Sequence, residues 1–135
     1  MTRHILLITI DTLRADYLAC YGKRAIRTPN LDNFASEGVR FAHHLTSIST
    51  TLPSHCSLMT GCTPAVNGVT WNWVNEPARR KTLAKIGIEA GFATTAVTSW
   101  YAFVDQQVFG FERAYSEGRF KGEDTRGDAT VNRVT

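Results

Sequence analysis

Two stretches of the sequence carry residues whose type and spacing can do chemistry. Asp11 directly follows the continuous run Ile-Leu-Leu-Ile-Thr-Ile at residues 5–10. Packing explains a carboxylate there poorly, because an unpaired buried charge is costly. It can bind a divalent cation, accept a phosphoryl group, or cap the following turn. The second stretch, residues 49–61 (STTLPSHCSLMTG), crowds hydroxyls at the start of a helical pattern opened by Pro53. Free N–H groups at a helix start attract anions, which suits a phosphate or sulfate ester. A Thr or Ser hydroxyl at that place, close to a metal, can act as a nucleophile. The same stretch also reads as a Ser/Thr-rich loop with an ordinary N-cap, and spacing alone leaves both readings open.

These residues need elements to hold them. The 5–10 run suits a strand buried on both faces. Leu31, Phe34 and Ala35 recur at helical spacing around residues 32–37, with Gly38 as a stop. Residues 39–45 alternate imperfectly, as a short strand would. Pro53 predicts a helix over residues 54–60, closed by Gly61. Residues 82–90 predict a helix with Thr82 as cap, Leu83, Ile86 and Ala90 on one face, and Gly91 after it. Residues 92–98 (FATTAVT) predict a second buried strand. Asp128 reads as an N-cap before Val131 and Val134. This alternation predicts an α/β fold, a mostly parallel sheet with helices on both faces. Chemistry in such folds sits at the carboxyl ends of strands, which also brings Ser99 and Tyr101 forward as pocket residues.

Composition narrows the class. The chain has 135 residues, the length of one ordinary domain, with 43% hydrophobic and 20% charged residues. Fifteen Lys+Arg against twelve Asp+Glu give only +3, and the basic residues are scattered, which argues against a nucleic-acid surface. Three cysteines without a CxxC argue against a disulfide scaffold or a structural zinc site. No apolar stretch is long enough to span a bilayer, and the 5–10 run is too short for a signal-peptide core. The expectation is a cytoplasmic protein with no membrane or nucleic-acid partner.

Several motifs in order carry a resemblance. They are the run from Ile5 through Asp11-Thr-Leu-Arg-Ala-Asp16 to Gly22, then Thr28-Pro-Asn-Leu-Asp32, then Gly38-Val-Arg-Phe41. Thr51-Leu-Pro-Ser-His55, Ser57-Leu-Met-Thr-Gly61 and Asn67-Gly-Val69 follow, with Thr82-Leu-Ala84, Gly91-Phe92 and Gly110-Phe111-Glu112 further on. Together they resemble the opening of the sulfatase family, within the alkaline phosphatase superfamily, over nearly the whole chain. The family's nucleophile pattern is C/S-x-P/A-x-R, whose Cys or Ser becomes formylglycine. Aligning Pro53 puts Thr51 at the nucleophile and His55 in place of the Arg. Cys56 does not fit that position, since Leu58 and Thr60 stand where Pro and Arg belong, and it reads as a small core residue.

The resemblance implies a hydrolase of sulfate or phosphate esters, small-molecule substrates attacked by Thr51 to give a covalent intermediate. Threonine has no usual route to formylglycine, so none is expected, and the departure points toward Thr-type phosphoryl-transfer relatives. A divalent metal is implied (Ca²⁺, or Zn²⁺, Mn²⁺ or Mg²⁺), held by Asp11, Thr12 and Thr51. His55 is expected to bond the nucleophile or an ester oxygen, although a helix-packing role also fits it. Asn72 is expected to contact the transferred group, beside Trp71 and Trp73. His43 and His44 are assigned to structure, and Asp16 to capping or to pairing with Arg14. The family's late Asp-His or Asp-Asn metal pair does not occur in residues 1–135. The expectation is therefore the N-terminal part of a longer, truncated hydrolase domain. A non-catalytic anion-binding or scaffold module of the same fold is the alternative, and a receiver-like phosphoacceptor built on Asp11 a weaker one. Self-association through an exposed sheet edge is expected of such a chain.

Overall fold

Which elements form is decided by where each apolar side chain finds a surface and each backbone group a partner. The computed structural model describes residues 3–22, 26–73, 79–99 and 109–116. Two compact units divide the chain, Met1–Leu45 and Thr46–Thr135.

In the first unit, the helix over the Leu31 region is present as α1 (Pro29–Glu37), with Pro29 in its first turn. The side chains of Thr28 and Asp32 tie this turn to the segment before it. Ala19 N–H donates to Thr28 Oγ1 (3.2 Å), Cys20 N–H to Asp32 Oδ1 (2.8 Å), and the Thr28 hydroxyl to Asp32 Oδ1 (3.1 Å). Arg14 forms the expected ion pair with Asp16, at 2.7 Å, and lies over the Tyr17 ring. The strand expected over residues 5–10 does not form among the described residues. Ile5, Leu6 and Ile8 are 76%, 83% and 71% exposed, so the run is not buried on either face. Apolarity states a demand for burial; a strand also needs a neighbour to take its N–H and C=O groups, and the described residues of this unit offer none. Residues 39–45 are likewise irregular, with Val39 and Leu45 almost fully exposed.

The second unit holds the core, formed by Leu52, Cys56, Met59, Val69, Ala84 and Phe109. α2 (Thr51–Thr60) supplies the first three at spacings of four and three, one stripe of a helix. It begins two residues before Pro53, earlier than the sequence predicts. Proline is tolerated there because the first N–H groups of a helix have no intrahelical partner. Gly61, at φ +66°, ends it and donates its N–H to Ser57. A short helix, α3 (Pro64–Asn67), was not expected; Pro64 starts it and Gly68 at φ +85° stops it. Asn67 is fully buried with its amide satisfied: Nδ2 donates to Cys62 O and Ser57 Oγ, and Oδ1 accepts from Val69 N–H.

The expected helix near residue 83 is α4 (Leu83–Glu89), capped by Thr82, whose Oγ1 accepts from Lys85 N–H. The Thr82 hydroxyl also donates to Phe109 O, tying the helix to the segment before the last strand. The buried residue of α4 is Ala84; Leu83 and Ile86, the predicted core face, are about half exposed. β1 (Thr95–Thr98) occupies the end of the predicted 92–98 strand and pairs in parallel with β2 (Arg113–Ser116), Thr95 opposite Arg113. β1 alternates between exposed and half-buried, so it is not the fully buried strand expected. The architecture is α/β, with a two-stranded parallel sheet among the described residues. No helix of the described residues is long and apolar enough to cross a membrane. Asp128, Val131 and Val134 lie outside the described residues.

Candidate nucleophile site

The first turn of α2 brings Thr51, His55 and Asn72 together. Thr51 is the first helical residue and is half-buried; among the described residues its hydroxyl makes no hydrogen bond. The preceding Thr50 has the extended backbone of an N-cap residue, but its side chain makes no cap bond. Asn72 supplies one from twenty residues further along: its Oδ1 accepts the Leu52 N–H at 2.9 Å. This assigns the Asn72 oxygen to the helix and leaves Nδ2 as the amide's donor end.

This turn has fewer free donors than the sequence suggests. The Leu52 N–H is taken by Asn72, Pro53 has none, and Ser54 N–H donates to Thr50 O at 3.0 Å. Among the described residues, Thr51's own N–H remains as the unbonded amide of the turn. A general anion cradle is thereby reduced to one backbone donor at the candidate nucleophile, with an amide side chain beside its neighbour.

His55, one turn along, reaches Thr51 through the carbonyl rather than the hydroxyl: Nδ1 lies 2.8 Å from Thr51 O. A carbonyl can only accept, so Nδ1 is the donor of this bond. Ser54 Oγ donates to the same carbonyl at 2.9 Å. Both bonds fix the turn around Thr51. Cys56, adjacent in sequence, is fully buried, and burial pushes its thiol up to about 11, so it is an inert core residue as expected.

Other expected site residues stand apart. Ser99 follows β1 and is exposed, and Tyr101 lies outside the described residues. Trp71 and Trp73, on either side of the anchored Asn72, are 60% and 64% exposed. His43 and His44 are exposed, with His44 tilted against Phe41. In the first unit, an open cleft of about 310 Å³ is lined by Thr12, Leu13, Arg14, Tyr17, Ile26 and Thr28. Thr12 itself has φ +62°, a left-handed conformation that a β-branched residue adopts only under strain.

The metal set expected from the sequence was Asp11, Thr12 and Thr51. Asp11 and Thr12 are exposed, and among the described residues no three His, Cys, Asp or Glu side chains cluster. A hard divalent cation takes six or more oxygen ligands, commonly several of them carboxylates. One carboxylate with two hydroxyls does not fit that demand, so no catalytic step is derived through a metal.

Asn72's cap was not legible as such, since no local pattern links residue 72 to residue 52. Asn67 was noticed only within a motif and Thr82 only as a helix cap, yet each also closes a buried polar contact.

The comparisons with known proteins agree with the resemblance. The family model described as Sulfatase matches residues 3–131. Arylsulfatase D of Homo sapiens is 35% identical over 113 residues, covering 76% of this chain and 19% of that protein. Arylsulfatase H of Homo sapiens is 32% identical over 117 residues, covering 75% and 21%. An arylsulfatase of Clostridium perfringens is 30% identical over 118 residues, covering 82% and 23%. The chain therefore spans about a fifth of the length of these relatives. A family match over nearly all of its residues, in agreement with the motifs around Asp11 and Thr51, establishes that the chain belongs to the sulfatase family.

Proposed function

We propose that this chain is the nucleophile-bearing, N-terminal part of a sulfatase-like hydrolase that cleaves sulfate or phosphate esters through a covalent intermediate on Thr51. The observation that carries this reading is the first turn of α2. Thr51 sits there half-buried, with its hydroxyl and its own N–H both unbonded among the described residues, and the Asn72 amide on the next peptide.

In this reading, Thr51 Oγ attacks the sulfur or phosphorus in line with the leaving oxygen. The Oγ–S or Oγ–P bond forms, and the bond to the ester oxygen breaks with its electron pair. The hydroxyl proton passes to water, and a second water later cleaves the intermediate. The Thr51 N–H and Asn72 Nδ2 are the groups suited to non-bridging oxygens, where preorganised donors act most strongly. His55 holds the Thr51 carbonyl and so orients the turn. Ser99 and Tyr101 are assigned to the substrate pocket only by their place after β1.

The relatives' names favour aryl sulfates as leaving-group chemistry, while the Thr at the nucleophile position favours phosphoryl transfer. Hydrolysis of p-nitrophenyl sulfate, p-nitrophenyl phosphate and bis-p-nitrophenyl phosphate by the intact protein separates these. The reading requires activity on at least one ester that is lost in Thr51→Ala and kept in part by Thr51→Ser. Full activity in Thr51→Ala rejects it.

A further inference from the structure

The helix that carries Thr51 lacks a cap of its own. Thr50 has the right backbone for capping, with φ −92° and ψ 137°, and a residue type well suited to it, but its side chain makes no cap bond. The acceptor comes instead from Asn72, at 2.9 Å from Leu52 N. Residues 62–69 lead to it through a buried polar lock, in which Asn67 bonds Ser57 of α2, Cys62 and Val69. Val69, three residues before Asn72, is itself in the core with Leu52 and Cys56. The segment bearing Asn72 is thus anchored to α2 at one end by packing and at the other by the cap.

We propose that Asn72 is a positioning residue for the nucleophile turn: its Oδ1 acts as a cap supplied from outside the helix, fixing the Leu52 peptide and, through it, the orientation of Thr51. Its relevance to catalysis rests on the reading of Thr51 as nucleophile; the capping itself does not. The same bond fixes the direction of the amide. With Oδ1 turned to Leu52, the orientation of Nδ2 is set by the helix rather than by a bound ester. Nucleophile and amide donor therefore move as one unit.

The test is amide hydrogen exchange at Leu52, read by NMR in the intact protein, for wild type, Asn72→Ala, Asn72→Asp and Thr50→Ala. Loss of a side-chain cap weakens local protection, and Asn72→Ala is expected to speed Leu52 exchange about fivefold. A carboxylate can still accept the N–H, so Asn72→Asp is expected to retain protection at neutral pH. Thr50→Ala is expected to change nothing at Leu52. Unchanged exchange in Asn72→Ala, or a loss in Asn72→Asp equal to that in Asn72→Ala, overturns the proposal. Should Asn72→Ala fail to fold, Asn72→Asp still decides, since retained protection supports the cap and lost protection rejects it. Ester hydrolysis is measured on the same samples. A catalytic positioning role predicts a fall in kcat with little change in KM for Asn72→Ala. Wild type without esterase activity would defeat the functional reading and leave the exchange result to judge the cap.

Discussion

Asn72 Oδ1 and the Leu52 N–H, 2.9 Å apart, join two segments that are twenty residues distant in sequence. The bond sits beside Thr51, whose carbonyl is held from the other side by His55 Nδ1 at 2.8 Å. The first turn of α2 is therefore fixed by side chains at both of its ends, while the Thr51 hydroxyl makes no bond among the described residues. A hydroxyl on a turn fixed in this way is the arrangement that the proposed covalent mechanism asks for.

Cys56 is the clearest chemical prediction. Its thiol is fully buried and pushed up to about 11, while Cys20 and Cys62 are half-buried and free. Native protein treated with iodoacetamide at neutral pH is expected to be labelled at Cys20 and Cys62 well before Cys56. The raised value means that the folded state holds this proton more tightly than the unfolded state. Stability is expected to be unaffected by Cys56 below about pH 9 and to fall as pH rises from there toward 11. Denaturant titrations at pH 8 and pH 10.5 check the direction, and Cys56→Ala should flatten the difference.

Gly68 is a position where a single added carbon should be costly. It has φ +85°, and a Cβ there would lie 2.8 Å from Arg79 Nε and 2.9 Å from Arg79 Cδ. Gly68→Ala is expected to destabilise by about 1–2 kcal/mol, partly from the left-handed backbone and partly from displacing Arg79. Gly61→Ala shares the positive φ but faces open space, and should cost less. Paired thermal melts compare the two.

The apolar run of residues 5–10 predicts self-association of the 135-residue chain. Its exposed Ile5, Leu6 and Ile8 form a β-prone, uncharged surface, the kind that pairs with other chains. Sedimentation velocity is expected to show concentration-dependent association that Ile8→Lys reduces. A monomer at all concentrations would contradict this.

The sequence was most legible where chemistry is local. Thr82 as a cap and Gly61 as a stop follow from adjacent residues, as does the Arg14–Asp16 pair, and all three are present. It was least legible where a partner is distant. The 5–10 run announces a need for burial but cannot name the strand that would pair with it. β2 (Arg113–Ser116) has little apolar periodicity and forms because β1 lies alongside. Leu83 and Ile86 marked a plausible apolar face, but the small Ala84 is the residue that fits against the core. The candidate site divides in the same way. Thr51 and His55 share one helix, so their spacing of four places them together, whereas the capping role of Asn72 depends on how residues 62–72 fold back.

Mass spectrometry of the acid-quenched intact protein, after reaction with p-nitrophenyl sulfate or p-nitrophenyl phosphate, tests the central claim most directly. A covalent intermediate predicts one added sulfuryl or phosphoryl group on the peptide carrying Thr51, absent from Thr51→Ala. Steady turnover with no adduct, or an adduct that persists in Thr51→Ala, would contradict Thr51 as the nucleophile.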